Sequence, residues 1–548
     1  MRKTLLTLAA LLLAGTLAFA AGEGEAAASG DVVSLTMFGR ISPRVETVDS
    51  PDNEYTVWME EKFGVKIEWV VVPSQEAREK QSLLLASGDY PEIFWSGQFT
   101  NADQMRYGGQ GVLQPLNDLI DHAPDILAAF EFKPYFRPEI TTPDGNIYTL
   151  PHFEECYHCS VRQKLWMNST WLDNLGLQVP DTTDDLEAVL LAFKEQDPNG
   201  NGEADEIPLT GATGTWSADV YDYPMNPFIY NDGASYLYMN HNKVVDFNAN
   251  KPEWREGLRY MHRLYEQGLI DPQAFTQNLD AGRAVMNAET TVIGSYTAGH
   301  NRMFPRDTDD SLWPQYRAVP PLMGPTGLRQ TAYWPSGVSI GKFAITDKAS
   351  DAQARKAMAM ANFAYTEEGT IMEIFGLPTN SEGKVNWRWA QEGELGLNGQ
   401  PGIYWGAPHA ADAPPSRDTW RMELIFWHFD LFNGWVADQD ITSIAGYERF
   451  LVVESDKYIP HVPPPDMRIP IGRGTSGGLY FPEDVAQRVA QIQAETQTYV
   501  RQHMAAFITG QKDLDSDWDA YVAGLDALGI QEYVDTFQEA MDAAAALQ

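Results

Sequence analysis

Between Val32 and Trp95 the chain alternates short β-rich runs with helical ones, and this order limits the fold more than any other feature. Val32–Phe38 and Val65–Val72 are rich in β-branched and aromatic residues, and a helical run, Glu54–Phe63, separates them. Gln75–Ala86 reads as a second helix ending at Gly88, and Pro91–Trp95 as a third strand. Strand, helix, strand, helix, strand is the grammar of a parallel sheet with covering helices. At 548 residues the chain exceeds what one hydrophobic core sustains, so at least two domains are expected. Asp144-Gly145 marks a tight turn, and Ile147–Leu150 is a strand that runs into Pro151, where the chain is expected to leave one lobe for another. Helices dominate afterwards: Thr183–Lys194, Pro252–Gln267 ending at Gly268, Asp351–Ala364 and Pro482–Ile508. Ile459–Pro470, with five prolines, reads as an extended surface crossing.

The N-terminus carries an address. Arg2 and Lys3 precede an apolar run, Leu5–Leu13, and Ala18-Phe19-Ala20 forms a small-x-small cleavage site. That is a secretory signal peptide over residues 1–20, too short and wrongly flanked for a membrane span. Residues 21–30 read as a flexible leader. No cysteine follows the cleavage site, so a lipid anchor is not expected and the mature chain should be soluble outside the cytoplasm. The net charge is −37, and losing Arg2 and Lys3 makes it −39. This balance argues against nucleic acid and anionic membrane surfaces, both of which need a basic footprint.

Cys156 and Cys159 are the only cysteines and lie in Cys156-Tyr157-His158-Cys159. An exported pair at this spacing favours a tight disulfide, because no second pair completes a four-ligand zinc site. Free thiols shaping a pocket, or a metal shared with His152 or His158, are the alternatives. A thioredoxin-like role needs the pair at a helix N-terminus, whereas the following Ser160–Asn168 alternates like a strand.

Residues 197–206 read Asp-Pro-Asn-Gly-Asn-Gly-Glu-Ala-Asp-Glu. Oxygen-bearing side chains fall at positions 1, 3, 5 and 9, with glycine at position 6. A hard cation takes six to eight oxygens at about 2.4 Å, and this spacing wraps a loop around one point. Asp197, Asn199, Asn201, Asp205 and Glu206 would supply side-chain oxygens and Glu203 its backbone carbonyl. The pattern departs from an EF-hand at position 12, which is Pro208. A solvated Asx/Gly turn is the competing reading; the expectation is a structural calcium ion.

Four stretches carry a family resemblance: Ser87–Phe94 (SGDYPEIF), Asp144–Pro151 (DGNIYTLP), Trp166-Met167-Asn168 with Trp171–Leu177, and Leu258–Pro272. With the tail motifs Phe507–Gly510, Trp518–Tyr521 and Gly529-Ile530, in this order and spacing, the chain resembles the extracellular solute-binding proteins of carbohydrate-type ABC importers. The loop at 197–206 looks like that of the alginate-oligosaccharide-binding branch. The resemblance implies an α/β fold, a two-lobed periplasmic-binding-protein clamshell, each lobe a sheet flanked by helices, with a helical C-terminal region. It implies that residues 31–150 and 340–378 form lobe 1, and that 151–339 and 379–548 form lobe 2. Its implied function is capture of a carbohydrate, an oligosaccharide in first place, and delivery to membrane permease subunits. A monomer in the periplasm is expected.

Sugars present apolar C–H faces and dense hydroxyls, which suit aromatic platforms flanked by planar polar groups. Candidate ligand contacts in loop settings are Trp95 with Gln98, Trp216, Trp334, Tyr404 and Trp405. Tyr296 follows an expected strand at Val292–Gly294, and His158 opens the second lobe beyond the crossing. Ordinary packing competes with each of these. Trp166, Trp171 and Trp254 lie on patterned segments and are assigned to packing. An oligopeptide or polyuronate is the runner-up ligand. A secreted carbohydrate-active enzyme is the alternative class, but no nucleophile elbow, zinc-helix motif or phosphate-cradling loop is present, and acidic pairs such as Glu154-Glu155 are unremarkable among 76 acids. The chain is therefore read as a binding protein without catalytic residues.

Overall fold

The computed structural model describes residues 32–546 apart from 43–44, 47, 50–52, 307–310, 335–336, 408–415, 423 and 470–478. The signal peptide and leader lie outside the described residues. Strand β1 (Val33–Ile41) pairs in parallel with β2 (Val65–Pro73) along its whole length, from Val33 opposite Val65 to Ile41 opposite Pro73. It pairs on its other side with β3 (Ile93–Phe94). The intervening helix Glu54–Phe63 starts where the Asn53 side chain accepts the Thr56 N–H, and it ends at Gly64. With φ at 62°, Gly64 takes the left-handed conformation that turns the chain directly into β2.

Three later strands complete this sheet: β4 (Leu150–Glu154), β10 (Val338–Ile345) and β13 (Phe426–Trp427), in the order β13-β4-β10-β3-β1-β2. β10 runs antiparallel to both neighbours, setting Ile345 against Ile93 and Val338 against Phe153. The second lobe is built on a three-stranded antiparallel sheet, β8 (Ser295–Ala298), β5 (Lys164–Asn168) and β9 (Tyr316–Val319), with β5 central. All five residues of β5 are buried. Helices Thr183–Glu195, Pro252–Glu266 and the C-terminal Glu483–Ile508, Trp518–Leu528 and Ile530–Ala546 complete this lobe. Two small hairpins, β6 (Leu237–Met239) with β7 (Val245–Phe247) and β11 (Trp387–Trp389) with β12 (Tyr404–Gly406), decorate the lobes.

Each lobe has its own apolar core. Leu35, Met37, Ile93, Leu150, Phe153 and Phe343 centre the first; Leu165, Trp166, Leu190, Trp254, Leu258 and Tyr316 centre the second. The expected boundary at 378/379 is corrected here. Trp387, Leu397, Tyr404, Trp420, Leu424 and Leu431 belong to the first core, and β13 pairs in parallel with β4 (Phe426 opposite Phe153). Ile441 packs against the second core and Tyr447 is the first buried residue to rejoin it. The expected return near Ile340 falls within β10.

Three segments therefore cross between lobes: residues 154–161, then 331–334 with 337–338 among the described residues, and 433–447. The first two lie against each other, because the Glu154 N–H donates to the Gly337 carbonyl at 3.0 Å. Gly337 is required there: a Cβ would come within 2.1 Å of the Glu154 carbonyl oxygen.

Candidate ligand cleft

A cavity of about 670 Å³ opens between the lobes. Its walls come from the first crossing (Glu154, Cys156, His158, Cys159), from the first lobe (Trp405, Arg421, Trp427, Trp435) and from the second-lobe side (Arg302, Tyr447, Glu448). A smaller cavity, about 460 Å³, is walled by second-lobe residues including Tyr230 and Arg468 and by Tyr333 and Trp334 of the second crossing. The first cavity draws its walls from both lobes. The first is the ligand-cleft candidate.

Planar cations on aromatic rings characterise the cleft. The Arg302 guanidinium lies 3.5 Å from the Tyr447 ring centre and 4.4 Å from that of Trp313. Arg388 approaches Trp405 at 5.5 Å and forks onto Glu394 through hydrogen bonds of 2.7 and 2.6 Å. Such pairs hold the rings in fixed orientations. Burial pushes the Glu448 carboxyl up to about 7; the Arg302 charge opposes this and the Glu154 charge adds to it. Behind Tyr447, whose hydroxyl is 3.0 Å from Nδ1 of His300, burial holds the His300 ring down to about 4, with Lys164, Arg302 and Arg283 acting in the same direction. His300 is therefore a neutral hydrogen-bonding group at physiological pH.

The structure separates the sequence-predicted contacts. His158 and Trp405 line the interlobe cavity. Trp216 stands beside it, 6.5 Å from the His158 ring and 5.9 Å from that of His300. Trp334 lines the smaller cavity, with the Arg162 guanidinium 3.7 Å from its ring centre. Gln98 follows β3, donates its N–H to Gln81 Oε1 at 2.7 Å and accepts the Arg78 guanidinium on its carbonyl; it walls neither cavity.

Three candidates are corrected to core residues. Trp95 is 1 % exposed, edge-on to Phe343 and Trp420. Tyr296 is wholly buried against Phe304 and Tyr316, and its hydroxyl donates to the Asn301 carbonyl at 2.5 Å. Tyr404 is wholly buried against Phe375, on the opposite face of β12 from Trp405, as strand alternation requires.

Sequence reasoning missed Arg302, Arg421, Trp427, Trp435, Tyr447 and Glu448. One signal was available: five aromatics between Phe426 and Trp435, a density beyond what a two-residue strand and a five-residue helix use internally.

Cys156 and Cys159 are bonded to each other. In the 197–206 loop, the Asp197 carboxylate accepts the N–H groups of Asn201 (3.1 Å) and Gly202 (3.0 Å). Asn199 Oδ1 accepts the Asn201 N–H at 3.0 Å, and both asparagine amides reach Asp205 at 3.1–3.2 Å. Glu206 Oε1 is buried and has no hydrogen-bond partner among the described residues. Burial raises the Glu206 carboxyl, and the Asp205 and Asp197 charges raise it further. An orphaned buried carboxylate oxygen beside two more carboxylates is a donor set that fits a hard cation.

The model of the bacterial extracellular solute-binding protein family matches residues 45–371. The fructooligosaccharide ABC transporter substrate-binding protein FusA of Streptococcus pneumoniae serotype 4 is 27 % identical over 512 residues, covering 88 % of this chain and 86 % of that protein. The solved structure of S. pneumoniae FusA in complex with kestose superposes with a TM-score of 0.71 at 25 % identity, over 94 % of this chain and 100 % of that one. That of the alginate-binding protein AlgQ2 without calcium ion gives 0.60 at 21 % identity, over 93 % and 98 %, a likeness of fold. The fold is the two-lobed one expected, and the chain belongs to the bacterial extracellular solute-binding protein family.

Proposed function

We propose that this protein is the substrate-capturing component of an ABC importer, holding an oligosaccharide between its lobes and presenting it to membrane permease subunits. The observation that carries this reading is the interlobe cavity of about 670 Å³, whose walls come from both lobes and combine Trp405, Trp427, Trp435 and Tyr447 with arginine and carboxylate groups. Aromatic faces match the C–H faces of a sugar, and the polar groups match its hydroxyls. FusA, named for fructooligosaccharides and solved with kestose, supports the ligand class. His158, Trp405 and Trp216 are the predicted contacts retained; Arg302 and Tyr447 are added. The protein binds and releases without chemistry on its ligand.

The segment Met1–Ala20 directs export, and the mature chain works as a monomer in the periplasm. Calcium is structural. Asp197, Asn199, Asn201, Asp205 and Glu206, with the Glu203 carbonyl, would hold it, cross-linking a loop none of whose residues line the cleft. The ion neutralises carboxylates that otherwise repel.

Titration of intrinsic tryptophan fluorescence with kestose, other neutral oligosaccharides, uronate oligomers and short peptides tests the reading, with product analysis alongside. Saturable binding of a neutral oligosaccharide without cleavage is expected. Preference for uronates or peptides would replace the ligand class, and cleavage would make the protein an enzyme.

A further inference from the structure

A short turn in the first crossing touches the second crossing and the helix that follows the third, and that turn is closed covalently. Cys156 is buried in the first core, and Cys159 packs against the same core. Val161, only two residues further on, belongs to the second core. Within the turn, the Ser160 N–H donates to the Cys156 and Tyr157 carbonyls at 3.3 Å each and the Ser160 hydroxyl to the Tyr157 carbonyl at 2.7 Å. Lys164, on β5, donates from Nζ to the carbonyls of His158 (3.0 Å) and Val161 (2.5 Å). The second crossing hangs on this turn through the Trp334 N–H, which donates to the Ser160 carbonyl at 3.0 Å. The helix that follows the third crossing reaches it through Asp456, which accepts the Tyr157 hydroxyl.

His158 lies inside the bonded loop. Its Nε2 is 3.6 Å from Cys156 Sγ, and its ring stands 6.5 Å from Trp216 of the second lobe and 6.3 Å from Phe432 of the first. Both cysteines and His158 line the interlobe cavity. The two sulfurs and a His158 nitrogen lie within 4.8 Å of one another, the spacing of metal ligands. With the sulfurs bonded to each other they are not thiolates, and a single imidazole does not make a metal site.

We propose that the Cys156–Cys159 bond is a positioning element for ligand capture: it holds His158 at the ligand and fixes the turn that the second crossing touches. The inference rests on the interlobe cavity being the ligand site. A side chain already held in its bound geometry loses less freedom on binding, so the bond acts on affinity through His158.

The test is a double-mutant cycle between the bond (Cys156→Ser with Cys159→Ser) and His158→Ala, with kestose as probe, tryptophan fluorescence for affinity and thermal melting for stability. Loss of the bond should weaken kestose binding about tenfold with His158 present, and less than about twofold in the His158→Ala background. Equal losses in the two backgrounds, or unchanged affinity with a lowered Tm, would reduce the bond to a staple and overturn the inference. If the serine variant does not fold, phosphine-reduced parent and phosphine-reduced His158→Ala provide the same comparison. Trp405→Ala separates the two readings. If it abolishes kestose binding while the bond proves neutral, only the inference falls. Oxidised parent that binds kestose equally well without Trp405 removes the site reading and the inference together.

Discussion

Replacing Trp95 by alanine distinguishes a core tryptophan from a cleft tryptophan in one experiment. The side chain is 1 % exposed and stands edge-on to Phe343 at 5.6 Å and to Trp420 at 5.3 Å. Burying about 200 Å² of indole at about 25 cal/mol per Å² contributes about 5 kcal/mol. Its Nε1 is buried without a hydrogen-bond partner among the described residues, and removing an orphaned donor returns about 1–2 kcal/mol. The net loss is about 3–4 kcal/mol, inside the range for buried tryptophan-to-alanine changes. Trp95→Phe keeps most of the packing and removes the orphan, so it should lose about 1 kcal/mol or less. Urea unfolding is the assay, analysed by transition because two cores need not unfold together; the loss belongs to the first lobe. Trp405→Ala should do the reverse, weakening ligand binding with little change in the stability of the empty protein. A Trp95→Ala protein with parental stability and lost binding would refute the reasoning and return Trp95 to the cleft.

For calcium, a folded-state ligand at 100 times its dissociation constant adds about 2.7 kcal/mol, so chelation should lower the Tm by several degrees and Asp197→Ala should abolish the response. An Asp197→Ala protein that melts like the parent with and without chelator would remove the site. For Glu448, the folded value of about 7 lies above the ordinary 4.5. Its contribution is therefore fully present below pH 4.5 and is lost as pH rises through 7. Glu448→Gln should gain stability relative to the parent over that window and hold a constant advantage above it; a pH-independent difference would contradict the burial of this carboxyl. For the cysteines, the unreduced denatured protein should show no free thiol, and two after reduction.

Much of the fold was legible because the signals were local. The helix between β1 and β2 is announced by Asn53 and Gly64, and the parallel pairing follows from a helix too long to be a hairpin turn. β13 was not legible: two residues, Phe426 and Trp427, become a strand only because β4 offers them an edge. The same absence of tertiary information misplaced residues 387–432, whose apolar positions fit either core until the chain is folded. Trp405 and His158, which line the interlobe cavity, were chosen because their neighbours are loop-like, yet Trp95 and Tyr404 have loop-like neighbours too. What buries Trp95 is Phe343 and Trp420, both more than two hundred positions away. Arg302, Tyr447 and Glu448 carry no local mark, since a helix start and a polar loop look alike whether or not a cavity adjoins them.

The central claim is that two lobes close on a ligand held between Trp405, His158, Arg302 and Tyr447. Closure brings the lobes together about the crossings and expels cleft water. X-ray scattering of the mature protein, empty and saturated with the oligosaccharide that binds most tightly, measures this directly. The account predicts a smaller radius of gyration at saturation, lost in Trp405→Ala at the same ligand concentration. A radius unchanged by a ligand shown to be bound would contradict it.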